Sequence, residues 1–298
     1  MNPSKHEFLN PPSFILQNDK LKVNIAKPGA FQKGSRFDWT GYITQVTLND
    51  KHTFCVPETY EPERGTEGQG LCNEFGIFTP IGYEEASVGE QFPKLGIGNL
   101  TRTDEEEYQF HSPYPIFPFE IEVTQEENKI QFKVSPDNCR GYATEIEKTI
   151  IIQDQSLTID YRLQNVGVKT IKTEEYVHNF VAINEHPISS DYKLRLPYTP
   201  IIESLPDIMT INHRELSWKN TPNEPFYCRP EGYSDSSHIW ELTHEPSGVG
   251  MREINIFPPA MFAIWGTRHV VSPEIFIDID VKPGETQTWS RTFEFFEE

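Results

Sequence analysis

The sequence predicts an all-β protein built on a broad antiparallel sheet, and three observations carry that prediction. Segments alternate apolar and polar residues with a period of two, as in Leu157, Ile159, Tyr161 and Leu163. Turn residues separate such segments at intervals of roughly 8–12 residues. Glycine and proline are abundant, at 18 and 24 residues, and no long stretch keeps an amphipathic helical period, which leaves room for only a few short helices. A chain of 298 residues buries roughly three quarters of the surface it exposes unfolded. It is expected to form one domain over 1–298, as one large β unit or two sheets sharing a core, without help from a metal or disulfide.

Residues 1–13 read as an N-terminal arm, because Pro11 and Pro12 prevent regular pairing. Phe14 to Ala26 gives two short strands around a turn at Asn18-Asp19, and Tyr42, Thr44, Val46 and Leu48 then share one strand face. Arg36 and Asp38 precede that strand and suit either ligand contact or a mutual ion pair. From Pro57 to Pro93 the alternation is lost and six glycines are interleaved with Glu74, Glu84, Glu85 and Glu90, which reads as a long functional loop or lid. Lys94 to Arg102 reads as a strand whose glycines let another backbone approach closely. It lacks the spacing of a phosphate loop, and Lys94 and Arg102 are its candidates for holding substrate hydroxyls or a carboxylate.

The middle is regular, with strands at Phe119–Val123, Ile130–Val134 and Ile146–Ile152 forming a meander. The turn signal Asn165-Val166-Gly167 predicts that Glu174–Asn184 pairs back on Leu157–Leu163 as a hairpin. Prolines break up 187–230, leaving room for a short helix between Glu203 and Trp218. Met261–Trp265 is a buried-looking strand, Arg268–Glu274 the loop that leaves it, and Ile275, Ile277 and Ile279 one face of the next strand. Lys282-Pro283-Gly284-Glu285 turns into a closing strand that ends near Phe295.

In Glu174–Asn184, Tyr176, His178 and Phe180 share a face. An aromatic face with an imidazole in its middle suits a sugar pocket with an acid catalyst, and equally a packed core holding one hydrogen-bonded histidine.

A formal charge of −19 argues against nucleic acid as a partner, since phosphates demand clustered Lys and Arg. Four dispersed cysteines form no CxxC pair, so no metal site is expected. No run reaches the ~18 apolar residues of a membrane span and no secretion signal opens the chain. The expectation is a cytoplasmic protein, monomeric or homodimeric, with no membrane partner.

The run Tyr176-Val177-His178-Asn179-Phe180 resembles the central histidine strand of the aldose 1-epimerases, or galactose mutarotase-like proteins. Ser272-Pro273-Glu274, followed by Val281-Lys282-Pro283-Gly284-Glu285-Thr286 and a last strand, is similar to their C-terminal region. The resemblance implies a large antiparallel β-supersandwich, a monosaccharide or sugar derivative as substrate, and no cofactor. It also implies His178 as general acid and Glu274 as general base. Better-known mutarotases carry an asparagine-arginine motif and a second histidine in the first half. Here His111 is the nearest stand-in for that histidine and Lys94 or Arg102 for the arginine.

The implied chemistry removes the proton from the anomeric hydroxyl while the ring oxygen gains one, so that the ring opens, C1–C2 rotates and closure reverses the transfers. Tyr176, Phe180 and Trp265 would supply apolar faces for sugar C–H groups. A non-catalytic carbohydrate-binding protein is the alternative. A glycoside lyase or hydrolase is another, for which Glu74 with Glu274 is the pair of carboxylates.

Overall fold

The computed structural model describes residues 11–30, 34–78, 80–135, 137–233 and 238–298. Its strands form two large antiparallel sheets and one small one. The first sheet has nine strands. In spatial order they are Ser13–Gln17, Leu21–Ala26, Tyr42–Leu48, Gly70–Phe75, Ile171–Phe180, Val271–Val281, Met261–Gly266 and Phe226–Cys228, with His52–Thr53 added on Tyr42–Leu48. The second has ten, in the order Met209–Asn212, Glu215–Trp218, Tyr192–Arg195, His238–His244, Val249–Asn255, Thr286–Glu297, Ser156–Asn165, Thr144–Gln153, Lys129–Ser135 and Glu120–Gln125. Gln91–Lys94, Gly98–Thr101 and Ile116–Pro118 make the third. The core lies between the large sheets, where Val46, Leu71, Val177 and Ile275 of the first meet Ile150, Ile159, Phe293 and Trp240 of the second. The all-β class is as the alternation predicts, and among the described residues helix is limited to single turns at Ile183–Glu185 and Glu245–Ser247.

The histidine strand is not the second arm of a hairpin on Leu157–Leu163. Ser156–Asn165 pairs with Thr144–Gln153 and Thr286–Glu297 in the second sheet, whereas Ile171–Phe180 lies between Gly70–Phe75 and Val271–Val281 in the first. The turn is real, since Gly167 N–H caps Asn165 Oδ1 at 3.0 Å, but it carries the chain from one sheet to the other. The strand is buried on both faces from Glu175 to Phe180. Its inward-pointing Glu175 and Asn179 meet Arg291 and Glu253 of the opposite sheet, so it must face that sheet and cannot lie within it.

The run 57–93 also differs from a continuous lid, because it contains the wholly buried strand Gly70–Phe75. Alternation fails there because Asn73 and Glu74 are buried polar residues with dedicated partners. Gly70 enters the strand at φ 64°, and a Cβ there would run into the Ile43 carbonyl. Gly98 meets the predicted close approach, with the Phe117 carbonyl and Pro118 where a side chain would be. Between Glu203 and Trp218 the chain forms the hairpin Met209–Asn212/Glu215–Trp218 in place of a helix, turning at His213 with φ 54°. Most of the predicted arm, residues 1–10, lies outside the described residues.

Candidate active site

Two neighbouring strands set the site. Ile171–Phe180 and Val271–Val281 are in register from Ile171↔Val281 to Tyr176↔Phe276, and the isolated bridge Val181↔Val271 keeps that register beyond a gap in the ladder. Within the gap His178 falls opposite Glu274 and Asn179 opposite Pro273. Opposed residues bring their Cβ atoms within about 5 Å, and accordingly His178 Nδ1 lies 3.2 Å from Glu274 Oε1. Glu274 therefore sits inside a strand, not in the loop before one.

Rings enclose the imidazole. Phe180 stacks on it with centroids 3.8 Å apart, Trp265 meets it edge-on at 5.5 Å and Phe37 at 6.1 Å. Tyr176 stacks in turn on Phe276 at 4.3 Å. Burial, seconded by the Arg36 guanidinium, holds His178 well below its ordinary pKa. Burial also pushes Glu274 up to about 8, against the opposing pull of a Ser272 hydrogen bond and of Arg36. At neutral pH the pair is thus an uncharged imidazole beside an uncharged carboxyl. The 3.2 Å contact is not aligned as a hydrogen bond, so Glu274 Oε1 has no such partner among the described residues.

A charged cluster borders this pair. Glu74, opposite Tyr176 in the adjoining ladder, accepts from Arg36 Nε at 3.0 Å, from the Tyr176 hydroxyl at 2.8 Å and from Lys94 Nζ at 3.4 Å. Arg36 also reaches both Glu58 oxygens at 3.3 Å and lies over the Phe37 and Phe110 rings. Burial lowers the Lys94 pKa, with Glu74 opposing. Above the cluster is a cleft of about 480 Å³ lined by Arg36, Glu58, Thr66, Phe110 and His111 among others. Glu58 accepts from Gly68 N–H at 2.8 Å, and Gly68 lies flat on the aromatic floor, where a Cβ would collide with Phe180 and Phe37.

No protein-family model matches the sequence, and no curated protein matches it. Solved structures do match. A candidate aldose 1-epimerase of Escherichia coli K12 shares 11% identity over 97% of this chain and 100% of its own, with a TM-score of 0.63. The galactose mutarotase related enzyme of Lactobacillus acidophilus shares 14% identity over 96% and 98%, with a TM-score of 0.61. The aldose epimerase homologue of C. elegans shares 11% identity over 97% and 99%, with a TM-score of 0.58. The chain has the galactose mutarotase-like fold.

On this fold seven of the nine residues singled out in the sequence converge. His178, Glu274, Tyr176 and Trp265 form the pair and its walls, and Arg36, Glu74 and Lys94 form the charged cluster. Arg36 and Asp38 do not pair with each other, since Asp38 is bonded to Lys148 at 2.9 Å. Arg102 is not brought to the cluster, because its guanidinium is spent on the carbonyls of Tyr83, Ala86, Asp104 and Glu106. His111 lies on the cleft rim, edge-on to Phe110.

Two residues of the site were not expected from the sequence, Ser272, whose Oγ is 2.7 Å from His178 Nδ1, and Glu58. Ser272 had a signal, since it stands two residues before Glu274 and so shares its strand face. Glu58 had none, because it is one acid among many in a glycine-rich run. Ser272, His178 and Glu274 are not a nucleophilic triad, as Ser272 and Glu274 both approach Nδ1, whereas such a relay uses opposite ring nitrogens. Among the described residues no group of three or more His, Cys, Asp or Glu is placed to hold a metal ion, and no helix is long and apolar enough to cross a membrane.

Proposed function

We propose that the protein is an aldose 1-epimerase-like mutarotase that interconverts the α and β anomers of a monosaccharide or sugar derivative through His178 and Glu274. The observation that carries this reading is the buried contact between two uncharged, complementary proton carriers, one of which has an oxygen without a hydrogen-bond partner among the described residues. Sugar anomerisation suits a pair in contact as well as one spread across the ring, because the hydroxyl and ring oxygens to be served are both bonded to C1.

In the proposed cycle His178 takes the proton of the C1 hydroxyl while the Glu274 carboxyl gives its proton to the ring oxygen. The C1–O5 bond breaks as C1=O1 forms, C1–C2 rotates, and reclosure returns both protons. Burial thereby exchanges the roles that the family resemblance implies, making Glu274 the acid and His178 the base. Tyr176, Phe180 and Trp265 offer rings on which sugar C–H groups rest, and the Glu58–Gly68 segment lifts to admit the substrate. NMR exchange or polarimetry on a panel of neutral and acidic aldoses tests this. Faster anomerisation of at least one aldose is expected, with loss in His178→Ala, whereas uncatalysed rates throughout would overturn it.

A second reading is a non-catalytic sugar-binding protein, favoured by the closed contact between His178 and Glu274 and by the Gly68 segment over the floor. It predicts calorimetric sugar binding that survives Glu274→Gln, without anomerisation. The hydrolase reading loses ground because Glu74 is committed to Arg36, Lys94 and Tyr176, which leaves Glu274 without a free second carboxylate.

A further inference from the structure

The gap in the ladder between Tyr176↔Phe276 and Val181↔Val271 is bridged by side chains. Pro273 has no N–H to offer the opposite strand. Asn179 instead donates its backbone N–H to Ser272 Oγ at 2.9 Å and its side-chain amide to the Pro273 carbonyl at 2.6 Å. That amide is tied behind the sheet to Glu253 Oε2 at 3.1 Å, which also accepts from Trp240 Nε1 at 2.8 Å. The other Glu253 oxygen accepts from Arg291 at 2.9 Å. Ser272 Oγ is therefore held from the opposite sheet, and all of these side chains are buried.

A hydroxyl has one proton and two lone pairs. Asn179 N–H occupies one lone pair of Ser272 Oγ, and Glu274 Oε1, 3.2 Å from His178 Nδ1, has no hydrogen-bond partner among the described residues. Two oxygens thus face His178 Nδ1, Ser272 Oγ at 2.7 Å and Glu274 Oε1 at 3.2 Å; a ring hydrogen on that nitrogen points at both, whereas a bare nitrogen would set its lone pair against that of Oε1.

We propose that Ser272 is a positioning residue that holds His178 as the Nδ1–H tautomer and leaves the Nε2 lone pair to take the proton of the sugar hydroxyl. The tautomer stands on the local hydrogen bonds, and only its use in catalysis rests on the mutarotase reading. The same logic applies wherever one ring nitrogen is fixed by a neighbour so that the other is free for chemistry.

The test is nitrogen-15 NMR of the His178 ring in the whole protein, combined with anomerisation kinetics, for the parent, Ser272→Ala and Ser272→Thr. The parent is expected to carry its ring hydrogen on Nδ1. Ser272→Ala should lose that preference and lower kcat on the order of tenfold to 100-fold, with KM within about twofold, and Ser272→Thr should restore both. A parent hydrogen on Nε2, or an alanine variant with the parent's tautomer, overturns the proposal. A Ser272-dependent Nδ1–H in a protein that speeds the anomerisation of no sugar upholds the tautomer and overturns the mutarotase reading. Should Ser272→Ala not fold, the parent ring spectrum decides alone.

Discussion

His178 Nδ1 stands 3.2 Å from Glu274 Oε1 across two neighbouring strands, yet that oxygen has no hydrogen-bond partner among the described residues. The contact follows from strand register, not from attraction between charges. Burial leaves both groups uncharged, so the carboxyl keeps its proton and the ring keeps one nitrogen free to accept another. A pair of this kind can take one proton and give another at one carbon with no change in net charge, because the imidazolium and carboxylate that result stand in contact.

The pH dependence of anomerisation distinguishes the two assignments of acid and base. With Glu274 as the acid, kcat/KM should be flat through neutrality and fall about tenfold per pH unit above about 8 as its proton is lost. The limb due to His178 should lie well below the ordinary 6.5, where the base becomes protonated. A rate that climbs through pH 8 would instead mark Glu274 as the base.

Stability carries the same signature with a calculable sign. Folding raises the Glu274 pKa from an ordinary 4.5 to about 8. Its favourable contribution is therefore fully present below the unfolded value and is lost progressively as the pH rises to the folded one. Glu274→Gln, which cannot ionise, should be more stable than the parent at pH 9 by on the order of 1–4 kcal/mol, and much closer to it at pH 4. Urea denaturation at the two pH values measures this, and an equal gap at both would refute it.

How much was legible in the sequence depended on whether a residue obeyed a local period. Leu157–Leu163 and Ile275–Ile279 alternate because one face of each meets the core, and there the sequence pattern and the strand coincide. Gly70–Phe75 was invisible because Asn73 and Glu74 replace the apolar residues that make a buried strand recognisable. His178 stood out through its aromatic neighbours at period two, and Glu274 through the family motif. Their contact could not be read, since it depends on the pairing of strands about ninety residues apart in the chain. Arg102 illustrates the converse: a cation beside glycines resembles a ligand site, but here it ties down loop carbonyls.

Access to the pair gives a third prediction. Glu58 holds the Gly68 segment closed through Arg36 and through Gly68 N–H. Glu58→Gln keeps an oxygen for the amide but removes the charge that Arg36 pairs with. The pair lies at the rim of the site, with the Glu58 side chain 20% exposed and Arg36 5%. An ion pair near the surface contributes up to about 1 kcal/mol, so the open form should rise in population and KM should fall by up to about fivefold with kcat little changed. Steady-state kinetics on the best aldose of the panel reads this directly, and a raised KM would show that Glu58 binds the substrate itself.

The buried ion chain behind the site gives the last prediction. Arg291 joins Glu175 at 2.7 Å and Glu253 at 2.9 Å, with all three side chains fully enclosed. Glu175 also accepts from Trp289 and is bonded to Asn73, while Glu253 holds Asn179 behind His178. Arg291→Met fills similar volume but leaves two carboxylates buried without a cation, which should cost about 3–5 kcal/mol. Arg291→Lys restores the charge without the planar fork and should recover only part of the loss. Chemical denaturation orders the three proteins. If the methionine variant matched the parent, the chain would be dispensable for stability, and its value would have to lie in holding Asn179 and the two strands at their present spacing.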